Sequence, residues 1–154
     1  MIHDVTERLR VKEELRQQRD FSDQLLETAQ VIVLVLDRQG KVVRFNQFMH
    51  ELSGYALDAV VGQNWFDKFT LDGERNRNQQ LFQRALDGLE VRGQISTIRT
   101  RDGRERQVAC WAKPLCNADG QVTAVLSIGH DVTDLVEIQQ KLVQSERLAA
   151  IGQM

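Results

Sequence analysis

The sequence predicts an α+β domain on one mainly antiparallel, five-stranded sheet, with a charged helix at each end. Three observations carry this expectation. Two short apolar segments fall within residues 31–45 and three more within 91–130, each set joined by turns ending in Gly. Helical patterns separate the two sets, and strands joined by tight turns must run antiparallel. The first thirty and last twenty residues lack strand patterning and alternate charged with apolar residues.

Residues 4–29 contain no Gly or Pro and read as one helix, with apolar positions at Val5, Leu9, Val11, Leu15, Phe21, Leu25 and Leu26. Residues 31–36 form an apolar strand, and Asp37-Arg38-Gln39-Gly40 turns it into a second strand at 41–45. Asn46 is placed to cap a short helix to Ser53, which Gly54 ends. Compact helical stretches follow at 56–60 and 64–69, then a longer helix at 74–87 stopped by Gly88. Strands are expected at 91–100, 104–113 and 121–130, linked by Arg101-Asp102-Gly103-Arg104 and Asn117-Ala118-Asp119-Gly120. On the fourth strand Val108, Cys110 and Ala112 share one face while Ala109 and Trp111 share the other. Both faces are apolar, so one should meet the domain's own helices and the other the N-terminal helix or a partner subunit. Residues 132–151 return to helix. There Leu135, Ile138, Leu142, Ser145 and Ala149 recur at a 3-4-3-4 spacing, a narrow coiled-coil seam that calls for a second helix.

Composition bounds the function. The 154 residues are 42% apolar, enough to bury roughly two thirds of the unfolded surface without disulfide or metal. Twenty basic and twenty-two acidic side chains are spread along the chain, which argues against nucleic-acid binding. The longest apolar run, 31–36, is far too short to span a membrane, and the charged first thirty residues do not read as a signal peptide. Cys110 and Cys116 form no metal-binding pair, so a reducing cytoplasm and no metal site are expected.

Ile2-His3-Asp4-Val5-Thr6-Glu7-Arg8 resembles Gly129-His130-Asp131-Val132-Thr133-Asp134-Leu135, with a charged helix after each copy. Helix capping explains the acidic residues but does not require His or Val. The repeat therefore implies that the segment opening the chain is the tail of an upstream domain of the same kind, with divisions at 1–29, 30–131 and 132–154.

Several pieces in this order resemble the PAS domains of bacterial sensor histidine kinases. Arg44-Phe45-Asn46-Gln47 with Leu52-Ser53-Gly54-Tyr55 looks like the family's N-x-a-F…x-G-Y stretch, and Val61-Gly62-Gln63-Asn64-Trp65-Phe66 like its V-G-x-x lead-in. Arg101-Asp102-Gly103 and Pro114-Leu115…Asp119-Gly120 match its two hairpins, and Asp131-Val132-Thr133 its D-I/V-T ending. Ser145 to Met154 resembles the opening of the kinase dimerisation helix, whose phosphoacceptor His lies further on. The resemblance implies a PAS fold with short helices on one face of the sheet. It also implies a sensory relay through Asp131, Val132 and Thr133, and a homodimer joined along Leu135, Ile138, Leu142 and Ala149. Its other partner would be a kinase domain downstream in the same chain, with no catalytic residue here and no direct membrane contact.

Possible cofactors divide by residue. Haem-binding relatives present a His from the long helix, and 74–87 has none. Light-sensing relatives carry G-x-N-C-R-F, whose Cys attacks a flavin; here Trp65 stands in that place, within Gly62-Gln63-Asn64-Trp65-Phe66. A non-covalent flavin among Asn64, Trp65 and Phe82 is the alternative reading, set against core packing by Trp65, Phe66, Phe69 and Phe82. The favoured expectation is no cofactor, with Asn46, His50, Asn64, Trp65, Phe82 and Cys110 as candidates to line a pocket for a small molecule. His130 and Asp131 are strand neighbours pointing to opposite faces, so they form no dyad; His130 is expected at a sheet edge or interface. Cys110 reads as a small core residue.

Overall fold

A computed structural model describes residues 2–152. A long helix α1 (Ile2–Thr28) leads into β1 (Val31–Asp37) and β2 (Val42–Phe45). Four helices follow: α2 (Gln47–Ser53), α3 (Leu57–Val60), α4 (Trp65–Lys68) and, after a single 3-10 turn, α5 (Arg75–Leu86). Strands β3 (Val91–Arg99), β4 (Glu105–Cys116) and β5 (Val122–Asp131) come next, and α6 (Thr133–Gly152) closes the chain. The five strands lie in the order β2-β1-β5-β4-β3, every neighbouring pair antiparallel. The sheet and its flanking helices are those the sequence predicts.

Local chemistry explains the turns. Asp37 Oδ1 accepts the N–H groups of Gln39 and Lys41, both at 2.9 Å, and Asn117 Oδ1 does the same for Asp119 and Gln121 at 3.0 Å. Gly40 has φ +81, and a Cβ there would lie 2.8 Å from the Phe66 ring, so backbone shape and packing both require glycine. Strand β4 runs three residues beyond the expected 104–113. Pro114 is tolerated because β3 has already ended opposite Ala112, so the proline's missing N–H faces an open edge while β5 pairs the other side.

Although β1 reads as a continuous apolar run, its burial alternates. Ile32, Leu34 and Leu36 face the helices and are 3–4% exposed. With Val42, Met49, Val60, Phe66, Phe69, Ile98 and Val108 they form the main core. Each large apolar side chain buried this way contributes about 1.5–3 kcal/mol before entropy is counted. Helix α5 offers Asn78, Leu81, Phe82 and Ala85, one helical face, to the same layer.

Two expectations change. The outer face of β4 is not covered by α1: Trp111 is 45% exposed opposite Ile128, and α1 packs mainly against β1 and α2. The cause is geometric. The 27 residues of α1 form one uninterrupted helix, and Leu26, in its last turn, is the residue of its described side chains that is half-buried. His130 is not on an edge strand, because β5 is central; it stands exposed on the outer face between Val31 and Ala109. The two copies of His-Asp-Val-Thr also differ. Asp131 ends a strand, whereas Asp4 lies within α1, its side chain outside what is described. Gln153 and Met154 lie outside the described residues.

Candidate functional site

Two places combine polar chemistry with a route through the fold. The first is the junction where β5 becomes α6. Asp131 Oδ1 accepts the Thr133 N–H at 2.9 Å and the Thr133 hydroxyl at 2.6 Å, and Oδ2 accepts Arg106 Nε at 2.8 Å. Burial pushes the Asp131 carboxyl up, but the bonds from Thr133 and Arg106 outweigh it and hold the group below its ordinary value. Thr133 Oγ1 also accepts the Gln107 N–H at 2.9 Å, and the Val132 N–H donates to the Gln107 carbonyl at 2.8 Å. The first residues of α6 are thus fastened to β4 from both sides. From Gln107 the network continues: its Nε2 donates to Thr97 Oγ1 at 3.0 Å, and Thr97 donates from N–H and hydroxyl to the two Glu74 oxygens at 2.8 and 2.9 Å. A chain of hydrogen bonds therefore links the residue before α5 to the first turn of α6.

The second place is a cavity of about 90 Å³ between the sheet and helices α4 and α5. Trp65, Phe82 and Cys110 line it, together with Leu34, Phe66, Asn78, Ser96 and Ser127. Trp65 stacks on Phe69 with ring centroids 4.4 Å apart, and Phe66 meets Phe82 edge-on at 5.5 Å. Burial pushes the Cys110 thiol up to about 11, so it stays protonated. Asn78 Oδ1 accepts the Ser96 hydroxyl at 3.0 Å, while Asn78 Nδ2 is buried with no partner. Leaving such a group unpaired costs about 1–3 kcal/mol.

The other pocket candidates lie elsewhere. Asn46 Oδ1 accepts the N–H groups of Val33 and Met49, and its Nδ2 donates to the Val31 carbonyl, so its amide is consumed tying β1 to the start of α2. Asn64 caps α4 by accepting the N–H groups of Phe66 and Asp67. His50 is half-buried near the end of α2 and lies outside this cavity's wall. Leu135, Ile138 and Leu142 are 54–58% exposed along α6, with Ser145 and Ala149 also exposed. Among the described residues, no cluster of three or more His, Cys, Asp or Glu side chains is arranged to hold a metal ion, and no helix is long and apolar enough to cross a membrane.

Sequence reasoning missed Glu74, Asn78, Thr97, Arg106 and Gln107. Asn78 alone left a signal, as a polar residue on the apolar face of α5.

The sheet order, the helices on one face and the Asp131–Thr133 ending agree with the family comparison, in which the PAS fold pattern matches residues 20–132. The chain belongs to the PAS family. The matched region begins inside α1 and ends at Val132, within the junction. This PAS domain is 29% identical over 143 residues to the signal transduction histidine-protein kinase AtoS of Escherichia coli (strain K12). That alignment covers 91% of this chain and 22% of the kinase, so the chain spans about a fifth of its relative. Among solved structures it is similar to the PAS domain of a protein from Colwellia psychrerythraea, with TM-score 0.65 and 20% identity, covering 78% of this chain and 98% of the other. It is also similar to an RNA-binding light-oxygen-voltage receptor, with TM-score 0.63 and 25% identity, covering 84% of this chain and 38% of the receptor.

Proposed function

We propose that this PAS domain is the sensory and signal-relay module of a cytoplasmic two-component sensor histidine kinase. It works as a parallel homodimer and passes a change in its sheet to the kinase through α6. The observation that carries the reading is the junction: Asp131 bonds at once to Thr133 on the helix and to Arg106 on β4. Any shift of β4 against β5 must strain or release those bonds. A cap of this kind is worth about 1 kcal/mol, too little to hold the fold but enough to shift a balanced pair of helix geometries several-fold. The likeness to a histidine kinase over most of the chain and the exposed α6 seam support the same reading. Residues 1–29 then serve as a signalling helix from an upstream domain.

The test is Asp131→Ala in the full-length kinase, with melting temperature and autophosphorylation measured together. The reading expects an intact PAS core with altered basal activity or a lost response. Unchanged output and response in a folded protein would reduce Asp131 to an ordinary cap.

A flavin sensor is the second reading, supported by the likeness to the light-oxygen-voltage receptor. Against it, the cavity is about 90 Å³, well below the roughly 300 Å³ at which pockets for drug-sized ligands begin. Stoichiometric flavin absorbance in the purified protein would reverse this preference.

A further inference from the structure

The internal repeat extends beyond its four shared residues. His3 and His130 lie 127 positions apart, and moving the α6 seam, with its next step Gly152, back by 127 lands on Arg8, Val11, Leu15, Gln18, Ser22 and Leu25. These residues keep the alternating three- and four-residue spacing, so they run along one side of the uninterrupted α1. Val11, Leu15 and Leu25 are 54–61% exposed on that side. The other three are polar, so the seam binds weakly by itself and its flanks choose the partner.

The flanks are patterned by charge. Glu7, Glu14 and Phe21 each precede a seam residue, while Lys12, Arg19 and Leu26 each follow one. In a parallel pair held in register, each residue of the first set reaches one of the second set across the interface. Glu7 then meets the partner's Lys12, Glu14 the partner's Arg19, and Phe21 the partner's Leu26. An antiparallel pair would set the glutamates against each other and the basic residues against each other. Glu13 and Arg16, away from the seam, bond each other at 3.1 Å. None of the ion pairs among the described residues involves Glu7, Lys12, Glu14 or Arg19.

We propose that α1 pairs in parallel and in register with α1 of a second copy of this chain, and that its flanking charges reject α6. The proposal rests on the homodimer reading and extends it to the incoming helix. Rejection follows from the same alignment: beside α6 of the partner, Glu14 would face Glu146 and Arg19 would face Lys141. Paired with its own copy, α6 instead sets Lys141 against the partner's Glu146. Two helices with the same seam spacing are thus kept from exchanging partners.

The test introduces single cysteines into the whole chain after Cys116→Ser. Cys110 stays, because burial keeps its thiol protonated. Under mild oxidation, Gln18→Cys should form a disulfide-linked dimer about tenfold faster than Asp20→Cys, which faces away and leaves the two thiols too far apart to bridge. Adding Glu14→Lys should slow the Gln18→Cys reaction about fivefold, and adding Arg19→Glu as well should restore it. Gln18→Cys protein mixed with Ser145→Cys protein should give each self-linked dimer and no mixed one. Equal rates at positions 18 and 20, no rescue by the second charge change, or abundant mixed dimer would each overturn the proposal. Linkage through Ser145→Cys alone would overturn it while leaving the homodimer reading in place. Linkage through Gln18→Cys alone would support it and remove the α6 seam, and linkage through neither would remove both.

Discussion

Arg106 Nε lies 2.8 Å from Asp131 Oδ2, joining the second residue of β4 to the last residue of β5 across 25 positions of sequence. Both side chains are largely covered, at 29% and 13% exposure. The ion pair therefore reports on the spacing of two central strands at the point where the chain leaves the sheet.

This pair gives stability a defined pH dependence. The Asp131 carboxyl titrates below its ordinary 3.8 in the folded protein. Its contribution is then complete above that value and is lost as pH falls through the lowered folded one. Asp131→Asn should lower the unfolding free energy near neutral pH by about 1 kcal/mol, and the gap to wild type should close in acid. Urea unfolding near pH 7 and near pH 3 measures this; a gap that stays constant would show that the carboxylate's charge contributes nothing.

The α6 seam predicts assembly. Wild-type protein at tens of micromolar should sediment as a dimer, and Leu142→Asp should shift it toward monomer by setting like charges opposite one another. Monomeric wild type at that concentration would remove the parallel homodimer.

The PAS domain should be colourless and should not be labelled by ATP. Trp65 is packed against Phe69 where light-sensing relatives carry their reactive Cys, and 74–87 offers no His to a haem. An absorption spectrum and incubation with radiolabelled ATP check the two halves.

Gly129 marks a tight contact on the inner face of β5. A Cβ there would lie 2.7 Å from Val108 Cγ1 and 3.4 Å from Ile32 Cβ. Gly129→Ala should destabilise by about 1–3 kcal/mol through overpacking. Adding Val108→Ala should recover part of that loss although it is itself a cavity-forming change, because the two side chains compete for one space. Strictly additive losses in a thermal-denaturation cycle would show that the contact is not the cause.

The fold was legible where its signals are local. Asp37 with Gly40 and Asn117 with Gly120 shape their turns within five residues, and Asn46 caps α2 as its position predicts. The site was legible in part. Asp131 and Thr133 stand two residues apart and could be read as one motif, and Trp65, Phe82 and Cys110 reach the cavity wall. Arg106 and Gln107 could not be read, because their partners come from strands brought together only by the sheet register. Asn46 and Asn64 show the same limit from the other side: sequence identified polar amides near a pocket, while the backbone groups that consume them were assigned by folding. The direction of α1 was also hidden. An apolar pattern says that a helix has a face to bury, but not where that face goes.

That direction turns α1 into a lever arm. At 1.5 Å per residue its 27 residues extend about 40 Å, with the pivot at Leu26 against the outer side of β1. A tilt of about 10° at that pivot displaces the far end by about 6 Å, slightly more than one helical turn. Motion too slight to disturb packing at Leu34 thus becomes, at the start of the chain, as large as the spacing between successive contacts of a coiled coil.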